Sequence, residues 1–487
     1  MAVIEIYNID SVLKGATPRA LVEVNEALAA PVPNHQFSQA YQEGRWDGYK
    51  RFFSVQTGKF PTGLLTRVYA ALKRIGERVE LEDMRDYNDI EAPDKIQLLD
   101  KKLGTLTLRD YQMEAVAGAL KATRGVINIA TNGGKTEIAC GIMKTTLPHI
   151  EGNDIIGFFT HSTEIFYQTQ SRIEERLGMK VGIVGDGKWD VQKITVVMIP
   201  TVNKYLEVKP QRGMDPAVVK QKVKDMKVLL KSIKMLIVDE AHHSSSDVWY
   251  DVLRKCTEAV YRIGLTGTID HDDEISVLKL YASTGKIIKK VTNKFLIENG
   301  YSAEPVINII KHGAPKILNG DMRYAVDKGI IYNDVRNAAF CDKVLEETEL
   351  GNHCLIIVNE ITHGNVVHNM LQLLGIEAEF TNGECTKKYR KEVIERFKAG
   401  EIPVLIATSI FDEGVDISGI EALFLMAGGK GMRQLLQRIG RGLRKKADGS
   451  GINVYDALDT HHEILLDHSA ARNEIYKAEG FKVVKVK

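Results

Sequence analysis

Cysteine is scarce in this sequence, with five in 487 residues. Cys140, Cys256, Cys341, Cys354 and Cys385 lack the paired spacing of a metal site, and most lie in apolar contexts. That predicts reduced packing residues in a cytosolic protein and argues against a disulfide framework. No uninterrupted apolar run approaches membrane-spanning length, and the first residues lack a basic stretch leading into an apolar one. The expectation is therefore a cytoplasmic chain with no membrane partner. Net charge is small as well, since 65 Lys and Arg against 64 Asp and Glu leave +1. Bulk electrostatics announces no polyanionic partner, although a neutral total accommodates local basic patches. No zinc-ligand cluster, no carboxylate–lysine constellation of a nuclease and no Ser or Cys nucleophile arrangement stands out.

What the chain does have is a repeated alternation of strand-like and helix-like segments from about Leu106 onward, the pattern of parallel α/β sheets. It runs twice. One set of strands is expected at 126–130, 155–160, 194–199, 235–239 and 262–266, the other at 306–310, 354–358, 404–407, 422–427 and 452–456. The fold class this predicts is α/β, two tandem parallel-sheet lobes over 96–300 and 301–487 behind a small α+β N-terminal domain over 1–95. At 487 residues the chain is long enough for each to hold its own core.

Chemistry is concentrated at two strand ends of the first lobe. Met235-Leu236-Ile237-Val238 is a short apolar run that delivers Asp239-Glu240-Ala241-His242 to the edge of a sheet. There Asp239 can hold Mg²⁺, partly through water, and Glu240 can orient or polarise a water for attack on a phosphate. Upstream, the strand ending at Ile129 is followed by Ala130-Thr131-Asn132-Gly133-Gly134-Lys135-Thr136 and an apolar helical stretch. A small-residue loop before a helix N-terminus turns backbone N–H groups onto a phosphate chain. Thr131, Asn132, Gly133 and Gly134 would form the cradle, Lys135 would reach the β- and γ-phosphates, and the Thr136 hydroxyl would ligate Mg²⁺. Ile129 replaces the first glycine of the full pattern, and Asn132 stands where a left-handed turn residue is wanted; asparagine tolerates that conformation. The residues thus predict ATP and Mg²⁺ as cofactors. The second lobe has no such loop, which suggests a nucleotide in an interlobe cleft. Gln437, Arg441 and Arg444, spaced by four and three on a helix, would face that cleft, the arginines meeting the charge of the transferred phosphoryl group.

Two further stretches are basic. Between 35 and 74, Arg45, Lys50, Arg51, Lys59, Arg67, Lys73 and Arg74 face only Glu43 and Asp47, with Tyr41, Trp46, Tyr49, Phe52 and Phe53 interleaved. That mixture suits phosphate pairing and base stacking, with Arg45, Trp46, Lys50 and Arg51 as DNA contacts. Alternatively, the aromatics are this small domain's core and the charges solvate it. Lys220 through Lys234 is also basic and helical, and reads as a solvated helix face.

These pieces, in this order, resemble a superfamily 2 helicase core of the DEAH spelling, from near Leu106 to the end of the chain. The resemblance implies two RecA-like lobes. It implies an adenine-recognising motif at Leu108-Arg109-Asp110-Tyr111-Gln112, where Arg109 and Gln112 would hold the base, and the nucleotide motifs already read. Leu265-Thr266-Gly267-Thr268 is similar to the motif linking nucleotide state to the nucleic-acid track. In the stretch 407–416, Thr408 would lie near a strand phosphate and Asp416 near the nucleotide. Thr160, Ser162, Gly185, Thr201 and Asn359 occupy positions of backbone-contact motifs. Within the superfamily the likeness is greatest to phage UvsW-type helicases, with XPB-type and type III restriction ATPases more distant. It is carried by Gly44-Arg45-Trp46-Asp47-Gly48, by Tyr332-Asn333-Asp334-Val335-Arg336-Asn337, and by the segment from Tyr455-Asp456 through His468 and Arg472. It implies a monomeric ATP-dependent DNA helicase acting on forks and Holliday junctions, or on single-stranded or duplex DNA, in phage replication, recombination or repair. A duplex translocase that separates no strands, an ATP-gated clamp on RNA or DNA, and an RNA helicase stay open as alternatives.

Overall fold

A computed structural model describes residues 2–207, 216–269, 273–318, 320–408, 420–429, 439 and 451–486. The chain divides into two compact units, 1–129 with 134–290, and 130–133 with 291–487.

In the first unit the central feature is an eight-stranded sheet. Its order is Lys188–Asp190, Gly182–Gly185, Ile194–Met198, Ile155–Thr160, Ile233–Val238, Tyr261–Thr266, Arg124–Ile129 and Ile287–Val291. The five strands from Ile194–Met198 to Arg124–Ile129 run parallel. Helices lie between them in sequence, and both faces of the sheet are covered, so these strands read as nearly unbroken apolar runs. One core layer packs Phe159, Val197, Leu236 and Val238 against Val202, Met226, Leu229, Leu230 and Trp249.

The amino-terminal residues build a four-stranded sheet, Lys59–Pro61, Asp10–Lys14, Ala2–Ile6 and Val79–Asp83, backed by helices Pro18–Ala27 and Leu65–Arg74. Its core does not close on itself. Ile4, Val24, Phe52, Phe53, Phe60 and Leu64 share one apolar cluster with Leu278 and Ala282 of the helix Glu274–Ser283. A Cβ at Gly63 would collide with the Tyr281 carbonyl oxygen, so the two backbones meet in direct contact. Polar ties complete the junction: Arg254 donates to Asp10 at 2.8 Å, Arg124 to the Asn8 carbonyl at 2.7 Å, and Asn8 to the Thr257 carbonyl at 3.1 Å. Phe52 and Phe53 are therefore core residues.

The second unit holds a seven-stranded parallel sheet in the order Ala378–Thr381, Val404–Ala407, Cys354–Ile357, Ala422–Leu425, Asn453–Ala457, Val306–Ile310 and Lys482–Val486. Apolar clusters cover both of its faces. Buried ion pairs lock its carboxy-terminal end. Arg472 grips Asp456 in a bidentate pair at 2.7 and 2.9 Å, with the Tyr476 hydroxyl donating to the same carboxylate at 2.7 Å, and Arg336 donates to Asp459 at 2.8 Å. Such pairs hold only with close geometry and satisfied donors, which Arg472 obtains from the Gly429 and Ala457 carbonyls.

All ten strands expected from the sequence form, and the architecture is the α/β arrangement of two parallel-sheet lobes with a small α+β N-terminal part. Within the two large sheets, the strands not foreseen are short or peripheral: Gly182–Gly185, Lys188–Asp190, Ile287–Val291, Ala378–Thr381 and Lys482–Val486. The last two carry half-exposed residues, so their apolar patterning is weak.

Candidate nucleotide and nucleic-acid site

Because five neighbouring strands of the first unit are parallel, their carboxyl ends share one edge of the sheet. From that edge, in spatial order, emerge Ile199-Pro200-Thr201, Thr160-His161-Ser162, Asp239-Glu240-Ala241-His242, Thr266-Gly267-Thr268 and the loop that begins at Ala130. Open α/β sheets bind ligands at this edge. Segments up to 138 residues apart in sequence, from Ala130 to Thr268, thus converge through strand order alone.

The loop turns sharply before its helix. Asn132 and Gly134 are both left-handed, at φ 67° and 78°, and the helix Lys135–Thr146 starts immediately after. The asparagine thus adopts the conformation it was expected to tolerate. A Cβ at Gly134 would run into the Gln112 side-chain amide, so glycine is required here on two counts. Gln112 is buried, and its Oε1 accepts the Arg109 backbone N–H at 2.9 Å in a capping box, which seats the amide beside the loop. Arg109 donates to the Tyr111 hydroxyl at 3.2 Å. Lys135 Nζ donates to the Ile129 carbonyl at 3.4 Å, and Thr136 opens the helix beside it.

Asp239 is anchored through its backbone N–H to the Phe159 carbonyl at 3.0 Å, and its Oδ1 accepts the Glu240 N–H at 3.0 Å. Burial raises its carboxyl to about 6; the Glu240 charge adds to that and the Lys135 ammonium opposes it. Glu240 has a left-handed backbone, φ 46°, unusual for a non-glycine residue. Its Oε2 is buried with no hydrogen-bond partner and lies 3.3 Å from His242 Nδ1. His242 Nδ1 also sits 3.0 Å from Thr266 Oγ1, and Thr266 in turn donates to the Thr268 carbonyl at 2.9 Å.

An uncompensated carboxylate oxygen beside a carboxyl raised by burial is a local excess of negative charge, which a divalent cation relieves. Thr136 and Asp239 offer hard oxygen ligands, the kind Mg²⁺ takes alongside substrate phosphates. The residues fit the group.

Of the expected nucleic-acid contacts in this unit, Thr160 is fully buried with a hydroxyl that lacks a partner. Ser162 caps a helix by accepting the Ile165 N–H at 3.3 Å. Thr201 lies in the first turn of Ile199–Leu206. Gly185 is buried, and a Cβ there would meet Met198 and the Phe166 ring. In the leading domain Arg45 pairs with Glu43, Arg51 with Asp47, and Lys50 with Asp247 at 3.3 Å. The Trp46 indole donates to the Tyr49 carbonyl at 2.9 Å. In the second unit Asn359 donates to the Ala427 carbonyl at 3.3 Å, and the Thr408 N–H to the Thr381 carbonyl at 3.3 Å. Asp416, Gln437, Arg441 and Arg444 lie outside the described residues.

Two arrangements escaped the sequence. One is the His242–Thr266 contact, because neither residue type advertises the other. The second brings His312, Asp459 and His461 together with ligand atoms within 4.8 Å. Asp459 is already taken by Arg336 and by His312 Nε2 at 3.0 Å, and against the effect of burial these partners hold its carboxyl well below the usual range. It is an ion-pair network without room in its chemistry for a cation.

Residues 105–271 match the family described as type III restriction enzyme, res subunit, and residues 336–446 match the helicase conserved C-terminal domain. The chain is similar to the DNA 3'-5' translocase XPB2 of Sulfurisphaera tokodaii, 26% identical over 387 residues that span 70% of this chain and 79% of that protein. It is also similar to the ATP-dependent DNA helicase uvsW of Enterobacteria phage T4, 20% identical over 492 residues, spanning 95% of this chain and 94% of that protein. Among solved structures, Mycobacterium smegmatis helicase Lhr bound to ssDNA and AMP-PNP shares the fold at a TM-score of 0.52 and 15% identity, covering 78% of this chain and 51% of that one.

Proposed function

We propose that the chain is a superfamily 2 ATPase of the DNA helicase and translocase group and that it remodels branched DNA. The proposed substrates are replication forks and Holliday junctions, worked on by a cytoplasmic monomer in replication, recombination or repair, in a phage setting. The observation that carries the reading is the match to uvsW over 95% of this chain, leading domain included, beside a nucleotide site on one sheet edge.

In this proposal the backbone of Thr131, Asn132, Gly133 and Gly134 cradles the ATP phosphates, Lys135 neutralises them, and Arg109 and Gln112 flank the base. When bound, Mg²⁺ would be held by Thr136 and Asp239 and would polarise the phosphoryl oxygens. Glu240 orients the attacking water, because its orphaned carboxylate oxygen is a ready acceptor. Gln437, Arg441, Arg444 and Asp416 supply the second lobe's share, with the arginines meeting the developing charge. Arg45, Trp46, Lys50, Arg51, Thr160, Ser162, Gly185, Thr201, Asn359 and Thr408 are the proposed DNA contacts. Lys50 and Arg51 would exchange a carboxylate for a phosphate when DNA binds, an exchange of like charges at exposed sites that costs little.

A second reading, a duplex translocase without strand separation, is favoured by the likeness to a DNA 3'-5' translocase and by the restriction-enzyme match. The deciding experiment measures ATP turnover and strand displacement on a Holliday junction, a fork, linear duplex, single-stranded DNA and an RNA duplex. Preferential turnover and unwinding on the branched DNAs is expected. Equal stimulation by linear duplex with no displaced strand would replace this reading with the translocase, RNA preference would discard DNA as the substrate, and stimulated turnover without movement would leave a clamp.

A further inference from the structure

The helix Pro216–Ser232 has a face that neither the nucleotide site nor the proposed DNA contacts use. Its sequence carries Lys220, Lys222, Lys224, Lys227 and Lys231 against a single acid, Asp225. Lys220, Lys224, Lys227 and Lys231 follow spacings of four, three and four, which at 100° per residue brings all four onto one narrow stripe. All four are exposed. The opposite flank is anchored: Val219, Met226, Leu229 and Leu230 are buried. Asp225 points away from the stripe and accepts from Gln221 at 2.6 Å. Among the described residues no carboxylate pairs with any of the four lysines, whereas Arg45, Lys50 and Arg51 of the leading domain each have one.

Four uncompensated ammonium groups in a row repel one another, and a solvated surface helix has no need of that arrangement. Along the axis the stripe covers about 16 Å with steps of roughly 4.5–6 Å, from a rise of about 1.5 Å per residue. A polyanion with charges at comparable intervals fits it, and a nucleic-acid strand is such a polyanion. The helix also packs on Ile199–Leu206, the helix carrying Thr201, with Met226, Leu229 and Leu230 in the same core layer as Ile199 and Val202. We infer that Lys220, Lys224, Lys227 and Lys231 form a phosphate-backbone rail for the nucleic acid on which the motor works, a surface the sequence alone read as solvated. The inference rests on the nucleic-acid reading above. Lysine supplies point charges with no base-edge geometry, so the rail adds affinity without sequence preference.

The test is fluorescence anisotropy of a labelled fork with the full chain over a salt series, comparing the parent with a variant carrying Lys→Gln at 220, 224, 227 and 231. Off-stripe Lys222→Gln and the fourfold Lys→Arg variant serve as controls, and ATP turnover without DNA together with thermal melting checks folding. Roughly tenfold or greater loss of affinity at low salt is expected, with a shallower salt dependence by about 0.7–0.9 per lost contact. Lys222→Gln should bind as the parent does, and the arginine variant should restore both affinity and slope. Unchanged affinity and slope in the glutamine variant, with the parent binding normally, would overturn the rail alone. A parent that binds no nucleic acid would overturn the functional reading and the rail together.

Discussion

His242 Nδ1 and Thr266 Oγ1 lie 3.0 Å apart at the ends of two adjacent parallel strands, and the direction of that hydrogen bond is determined by its neighbour. The single hydroxyl proton of Thr266 goes to the Thr268 carbonyl at 2.9 Å. Thr266 can then only accept, so His242 donates from Nδ1. The same N–H faces the orphaned Glu240 Oε2 at 3.3 Å. The Glu240 carboxylate thus lies beside the N–H that His242 gives to the end of the next strand.

Thr266→Val keeps the side-chain volume and removes the acceptor. A neutral hydrogen bond is worth roughly 0.5–1.5 kcal/mol, so nucleotide affinity should change little while DNA-stimulated turnover falls by about three- to tenfold. Steady-state kinetics on fork DNA reads this; an unchanged kcat would show that the contact is only structural.

Glu240→Gln replaces a carboxylate with an isosteric amide that cannot serve as a base. Hydrolysis is expected to fall by at least about 10²-fold, while binding of a fluorescent ATP analogue persists. Retained turnover would remove Glu240 from the water-orienting role.

A chain begun at residue 96 would uncover Leu278 and Ala282 and leave Arg254 without Asp10. Exposing a buried Leu alone costs about 1.5–3 kcal/mol, so the shortened chain should melt several degrees lower or aggregate. A truncated form that is soluble, with the full chain's melting temperature, would contradict the shared core.

His363 is held down to about 3 by burial, reinforced by Arg336, and its Nε2 lies 3.1 Å from Asn337 Oδ1. An unfolded histidine titrates near 6.5, so between roughly pH 6.5 and 3 the unfolded chain takes up a proton that the native one refuses. Stability contributed by the neutral ring is full above about 6.5 and drains away as pH falls toward 3. Thermal melts at pH 7 and 5 should show a smaller acid loss for His363→Gln, whose amide still donates to Asn337, than for the parent. Equal losses would mean that other groups set the acid limb.

Much of this architecture was legible beforehand because the signals are local. Buried parallel strands announce themselves as apolar runs, and the turn after each announces itself through small or polar residues, as at Asn132-Gly133-Gly134 and Asp239-Glu240. The basic periodicity of the helix Pro216–Ser232 was equally legible; what its charges face was not. Phe52 and Phe53 sit among basic residues, and sequence could not separate core from contact surface there, since both uses favour aromatics.

By itself the sequence determined the two sets of parallel strands, the turn chemistry of the loop 130–136 and the candidate groups for nucleotide and metal, all encoded within a few residues of each other. Only the tertiary structure decided which strand lies beside which, and so placed Thr266 against His242, Arg254 against Asp10 across 244 residues, and Arg336 against Asp459 across 123. The physical reason is that a side-chain pair is selected by distance and desolvation after the chain has folded, and a large separation along the sequence carries no trace of that choice. The leading domain makes the same point. One of the two readings of its aromatics was a small core of this domain's own, and only folding showed that the core is completed by Leu278 and Ala282 of the adjoining parallel-sheet lobe.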